Sequence, residues 1–147
     1  MAKINPYLNF KGNTEEAFNF YKSVFGGEFA ALMRFKDVPA SEGCDEMKVA
    51  EHEWEKIMHI ALPIGDGNVL MATDGLESMS ENFEVGNNIS LSISVESKEE
   101  ANTLYAKLSE GGSYQMPPAD AFWGAYFGMC VDKFGVRWMF SCDNNTK

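Results

Sequence analysis

Two histidines, His52 and His59, are the residues of this sequence best suited to moving a proton or holding a transition metal. His52 opens the run His-Glu-Trp-Glu-Lys, which shares only its first two letters with a metalloprotease helix and lies among acids in an expected loop, so it reads as solvated. His59 falls in an alternating stretch, Ile57 to Ile64. That alternation sets Met58, Ile60, Leu62 and Ile64 on one face and His59 with Ala61 on the other. A helix packed on the first face would leave His59 toward a cavity, where an imidazole could be a general base or orient a ligand. A hydrogen-bonded structural histidine is the alternative reading.

Ser90, Ser92 and Ser94 alternate with Ile89, Leu91, Ile93 and Val95 and would line the same cavity if the apolar row faces a helix. Spacing assigns them no histidine and acid partner, so they read as a hydrogen-bonding wall and not as nucleophiles. Arg137 could bind a carboxylate or phosphate, or pair at the surface. Trp123, Phe127, Met71 and Met139 could form an apolar floor for an aromatic ligand, or simply be core. Cys44, Cys130 and Cys142 are odd in number and contain no C-x-x-C pair, which leaves buried, reduced cysteine as the simple reading.

The elements that must position these residues follow from periodicity. Ile4 to Phe10 reads as a strand; Asn13 caps a helix whose Ala17, Tyr21, Val24 and Phe25 share a face; Gly26-Gly27 stops it. Glu28 to Phe35 is a second strand, and an acidic excursion spans 36–56, with a short helix around Met47 to Trp54. Ile57 to Ile64, a turn at Asp66-Gly67 and Asn68 to Thr73 make a hairpin. The order then repeats: strand Asn88 to Val95, a Ser97/Glu100 capping box, a helix through Leu108, the stop Gly111-Gly112, and a short strand Ser113 to Met116 before Pro117-Pro118. Phe122 to Phe140 closes the chain as an aromatic hairpin turning near Lys133 and Phe134, expected to be the most buried hairpin of the molecule and to wall its pocket. Two βαβββ units follow.

At 147 residues and 45% hydrophobic, the chain has the material for one ordinary domain with a core of its own. A formal charge of -10 with no basic patch argues against nucleic acid. The amino end lacks the apolar stretch of a secretion signal and the apolar runs are short, so a cytoplasmic protein with no membrane association is expected.

Pro6-Tyr7-Leu8 through Gly12-Asn13, the helix ending Phe20-Tyr21, His59-Ile60-Ala61-Leu62, and above all a W-x-x-x-x-G-x-x-x-D-x-F-G-x-x-W pattern carry a resemblance. The pattern is met by Trp123, Gly128, Asp132, Phe134, Gly135 and Trp138. Together these resemble the PhnB-like branch of the vicinal oxygen chelate superfamily, which also contains glyoxalase I, bleomycin-resistance proteins and extradiol dioxygenases. The resemblance implies an α+β fold of two βαβββ modules forming a curled mixed sheet around a cavity, usually in dimers. One glyoxalase-like domain over 1–147 is expected, with module one at about 1–75, carrying the 36–56 insertion, and module two at about 87–143. The resemblance places the shared metal positions on Pro6, Met71, Ser90 and Met139. Proline, methionine, serine and methionine do not suit a hard or borderline cation.

The expected function is therefore metal-free binding of a small apolar or aromatic molecule by a homodimer, with no cofactor. His59, Met71, Ser90, Ser92, Trp123, Phe127, Arg137 and Met139 are the candidate ligand contacts, and His59 is the candidate for any catalysis. The alternative is a metal-dependent lyase, isomerase or dioxygenase using different ligands, such as His59 with an acid from the Asp74 to Glu84 stretch. A methyltransferase activity, which some relatives' labels suggest, finds no glycine-rich nucleotide loop for a methyl-donor cofactor.

Overall fold

A computed structural model describes residues 2–37, 50–65, 67–79 and 81–143. The chain divides into two compact units, Met1–Phe83 and Glu84–Lys147, each a βαβββ module. In the first, strand β1 (Tyr7–Phe10) leads to helix α1 (Thr14–Phe25), then β2 (Ala31–Arg34), β3 (Ile57–Ile64) and β4 (Asn68–Asp74). In the second, β5 (Leu91–Ser94) precedes α2 (Lys98–Ser109), β6 (Ser113–Asp120), β7 (Ala125–Val131) and β8 (Arg137–Asp143). The sheets are four-stranded and open, ordered β1-β4-β3-β2 and β5-β8-β7-β6, with the first strand of each parallel to the last and the other pairs antiparallel. The duplication read from pattern is thus a duplication of topology. The α+β fold of two βαβββ modules is as the resemblance implies, built of two open four-stranded mixed sheets.

Each sheet has one face under its helix. In the first unit Ala17, Phe18 and Tyr21 of α1 are fully buried against a face that includes Ile60, Leu62, Leu70 and Ala72, all at most 3% exposed. A buried aromatic or aliphatic side chain of this kind contributes about 1.5–3 kcal/mol. Arg34 on β2 ties that strand to α1 with two bonds to the Glu15 carboxylate, at 3.0 and 2.6 Å. In the second unit Leu104, Tyr105 and Leu108 of α2 cover Cys130, Trp138 and Phe140, and the Tyr105 and Phe140 rings meet edge to face at 6.2 Å.

Several expectations are revised. Asn13 makes no side-chain cap. The Asp74 carboxylate, arriving from the end of β4, takes its place: Oδ1 accepts from the backbone N–H of Gly12 and Thr14 and from the Thr14 hydroxyl, at 3.1, 3.0 and 2.6 Å. The second cap is as read, with Ser97 Oγ accepting from Glu100 N at 3.0 Å. β6 does not stop before Pro117-Pro118 but continues through them to Asp120, with one register shift between Tyr114 and Met116 and a second, between Met116 and Ala119, that accommodates the two residues unable to donate to the ladder. A turn near Lys133 and Phe134 would set Cys130 opposite Arg137 and Cys142 opposite Ala125, but the aromatic hairpin pairs one step away: Cys130 faces Trp138, and Cys142 faces Tyr126. The cause is the turn, which is longer than a two-residue one, with Asp132 N donating to Val136 O at 2.9 Å. Trp138 and Phe140 are buried as expected, but Phe122 and Trp123, at 97% and 57% exposure, precede β7 in a turn and stand out from the core.

The acidic excursion is described only at its ends, as short 3-10 turns at Phe35–Asp37 and Glu51–Glu53. Cys44, Asp66 and residues 47–49 lie outside the described residues; over 50–54, where the rest of the helix around Met47 to Trp54 is expected, there is only the 3-10 turn Glu51–Glu53.

Candidate functional site

The face of the first sheet away from α1 can be read from strand register, because directly paired residues project to the same side. Tyr7 pairs with Met71, Met71 with Ala61, Ala61 with Ala31, and Met33 with His59. His59 and Met71, both half-buried, are thus brought onto one face. Reaching His59 from the edge strand β1, across β4, is a residue that sequence reasoning passed over. Tyr7 Oη lies 3.3 Å from His59 Nδ1, and the rings are 5.8 Å apart with 30° between their planes. Alternation in Tyr7-Leu8-Asn9-Phe10 was the available signal, since Phe10 is buried on the helix side and Tyr7 takes the opposite one. Desolvation raises the Tyr7 phenol above its ordinary value, opposed by a hydrogen bond with the Thr73 side chain. Pro6, the position the resemblance assigns to a metal, adjoins this face and supplies a backbone carbonyl to Met71 N at 3.1 Å.

The corresponding face of the second sheet carries Ser92, Met139, Met129 and Met116 on one rung and Ser94, Ser141, Phe127 and Ala119 on the next. Trp123 leans edge-on against Phe127, 5.5 Å between centroids, and Phe122 against Trp123 at 5.1 Å. Arg137 is at the start of β8, with Nη2 3.4 Å from Gln115 Oε1. Ser90 lies one residue ahead of β5 and is half-buried. So Ser92, Trp123, Phe127, Arg137 and Met139 gather on one side of one sheet, with Met129 and Met116 added by register. A rung of thioethers flanked by aromatic rings is adaptable apolar surface, well matched to a flat apolar molecule.

The family pattern in this hairpin is largely architectural. Asp132 Oδ1 accepts from Phe134 N and Val136 N at 2.8 and 3.0 Å, and Oδ2 from the Trp138 indole N–H at 2.8 Å. A Cβ on Gly128 would come within 2.9 Å of Pro118, and Gly135 adopts φ +91°. Of the six pattern residues only Trp123 is turned to solvent.

The titratable groups gather elsewhere. His52 Nε2 is 3.1 Å from Glu77 Oε2, and His52, Glu53 and Glu77 offer three ligand atoms within 4.8 Å of one another. Glu77 belongs to the stretch expected to supply an acid to His59, but the imidazole it meets is that of His52. Glu53 is 4% exposed, and its Oε2 accepts from Glu77 N at 2.8 Å and from Lys56 at 2.9 Å. Those bonds, the backbone one first, hold its carboxyl below the ordinary carboxylate range. A carboxyl lowered in the folded state stabilises the fold above its unfolded pKa, and that contribution is lost as pH falls through the lower folded value. Glu53→Gln is accordingly expected to flatten the loss of stability between about pH 5 and pH 3 in urea melts, and an unchanged acid limb would contradict this. Cys130 is unsuited to nucleophilic chemistry: burial, and secondarily the Asp132 carboxylate, push its thiol up to about 12.

The paired βαβββ topology defines a class, that of the glyoxalase and bleomycin-resistance fold. A glyoxalase-related enzyme from Fulvimarina pelagi superposes with a TM-score of 0.64 at 15% identity over 97% of this chain and 89% of that one. Within that class the chain belongs to the PhnB-like family, whose model, described as 3-demethylubiquinone-9 3-methyltransferase, matches residues 2–141. Protein PA1353 from Pseudomonas aeruginosa is 40% identical, with a TM-score of 0.83 over 97% of this chain and 98% of its own. The PhnB protein from Bacillus cereus is 28% identical at a TM-score of 0.73, covering 96% and 99%. Protein YjdN of Escherichia coli strain K12 is 27% identical over 144 residues, 94% of this chain and 93% of YjdN.

Proposed function

We propose that this protein binds a small apolar or aromatic molecule without a metal, and sequesters it, acting as a homodimer. The observation that carries the reading is the uncovered face of the second sheet. There Met116, Met129, Met139, Phe127 and a Trp123 left 57% exposed form a continuous apolar surface edged by Ser92 and Arg137. Met116 and Trp123 are exposed and Phe127, Met129 and Met139 half-buried, and apolar area left in water at such a surface favours a ligand that removes it. The donor chemistry points the same way. Among the described residues no carboxylate pairs with Met71, Met139 or Ser92 across either sheet, and thioethers and a hydroxyl are poor partners for the cations that glyoxalase-type chemistry uses. The family description names methyl transfer, but the sequence carries no glycine-rich loop for a nucleotide methyl donor.

A second reading, a metal-dependent lyase, isomerase or dioxygenase, is favoured by one observation, the His52, Glu53 and Glu77 cluster. Its weakness is that Lys56 already neutralises Glu53 at 2.9 Å. One set of measurements separates the two. Titration with naphthalene should quench tryptophan fluorescence and raise the melting temperature, and Trp123→Ala and Phe127→Ala should each weaken binding about tenfold or more. Zinc, nickel, manganese and iron should bind substoichiometrically. Stoichiometric metal lost in His52→Ala, with no response to aromatic compounds, would establish the second reading. Sedimentation at micromolar concentration tests the dimer.

A further inference from the structure

The Tyr7–His59 pair lies on the first unit's sheet and marks a small-molecule surface of its own, separate from the one proposed on the second unit's sheet. Tyr7 is 46% exposed and His59 half-buried, so both rings can be reached from the uncovered side of the first sheet. Their 3.3 Å contact shares one proton between Oη and Nδ1. The phenol keeps its proton at neutral pH, because desolvation moves it up from an already high value. The Thr73 side chain lowers the phenol by donating to its oxygen, which leaves the phenol's own proton available to Nδ1. When the phenol donates to Nδ1, the imidazole proton must reside on Nε2, which leaves one N–H donor displayed on this face.

The surroundings narrow the partner of that donor. Strand register places Ala31, Met33, Ala61, Met71, Asn9 and Thr73 on the same side as the pair. None of them carries a charge, although the chain as a whole has a formal charge of -10. A fully charged ligand group would gain no counter-ion here, whereas an uncharged oxygen can accept from Nε2–H while the methionines and alanines receive the rest of the molecule.

We propose that Tyr7 fixes His59 as an Nε2–H donor for the carbonyl oxygen of an otherwise apolar ligand, so that the ligand class is the aromatic ketones and aldehydes. Tyr7 is then a positioning residue and His59 a specificity-determining one. The test compares 2-acetylnaphthalene with 2-ethylnaphthalene, a near-isosteric pair differing in the oxygen, by fluorescence titration of the full chain carrying Trp123→Ala and Phe127→Ala, which silences the second sheet's surface; this background is the wild type of the comparison. The ketone should bind the wild type about tenfold more tightly, the discrimination expected of one well-made hydrogen bond. In His59→Leu and Tyr7→Phe that preference should fall below about threefold while the alkyl analogue binds as before, and His59→Gln, which keeps an N–H donor, should recover part of it. Long-range nitrogen–proton spectra of the imidazoles should give His59 as the Nε2–H tautomer in the wild type and as a mixture in Tyr7→Phe. Equal binding of the two probes, or a preference that survives in His59→Leu, overturns the inference and leaves the binding function standing. Failure of both probes to bind in this background overturns the inference as well, while binding of naphthalene by the unsubstituted chain tests the second sheet's surface separately.

Discussion

Asp74→Ala should be among the most damaging single changes to this protein, lowering the unfolding free energy by about 3–5 kcal/mol. The side chain is 2% exposed, and four donors converge on it. Oδ1 receives Gly12 N, Thr14 N and Thr14 Oγ1, and Oδ2 receives Ile57 N at 2.8 Å. One carboxylate therefore closes the start of α1, the start of β3 and the end of β4 around a single point, and its negative charge meets the positive end of the helix dipole. Alanine leaves these donors facing a void in which water can reach few of them. Asp74→Asn keeps one acceptor but must present an amide N–H to a backbone N–H, so it should recover only part of the loss. Thr14→Ala removes one of the four bonds and should cost about 1 kcal/mol. Urea unfolding followed by far-UV circular dichroism would rank the three. If Asp74→Ala proved no worse than Thr14→Ala, the carboxylate would not be the organising group described here.

The same residue marks the limit of what sequence could say about this fold. Local devices were legible because their parts are neighbours in the chain: Ser97 caps through Glu100, and the buried positions of both helices follow the apolar spacing. Asn13 looked like the equivalent of Ser97, yet the group that closes α1 comes from sixty residues downstream, and no short-range pattern contains it. The hairpin register failed for a related reason. Asp132 draws in the amides of Phe134 and Val136, which lengthens the turn and moves every cross-strand pair by one step. At the candidate site, alternation correctly separated His59 from Ile60 and Leu62, whose side chains are fully buried. It could not supply Tyr7, since which residue of β1 lies beside β3's histidine depends on β4 sitting between them. His52 is solvated as its acidic surroundings imply, at 63% side-chain exposure, but its contact with Glu77 was not legible because Glu77 is on a separate 3-10 turn, Glu77–Met79.

The two glycines that end α2 looked equivalent in the sequence, and the structure gives them different work, from which the second large effect follows. Gly111 has φ +78°, a left-handed conformation that an L side chain adopts only with strain, but an added Cβ would meet nothing closer than the Lys133 side chain at 3.4 Å. Gly111→Ala should therefore cost about 1–2 kcal/mol, the price of that conformation. Gly112 has ordinary backbone angles and no room at all. A Cβ there would lie 2.1 Å from Val131 O and within 3 Å of the Asp132 backbone, atoms that belong to the end of β7 and cannot swing aside as a lysine side chain can. Accommodating it requires parting β6 from β7 just where Ser113 pairs with Val131, beside the turn that Asp132 organises. Gly112→Ala should thus destabilise by at least about 3 kcal/mol, well beyond Gly111→Ala, and should do so by disturbing the sheet that carries Phe127, Met129 and Met139. Hydrogen exchange at the amides of β6 and β7 would locate the damage. Equal costs for the two substitutions would mean that conformation, and not the close approach of two backbones, is what demands glycine at both positions.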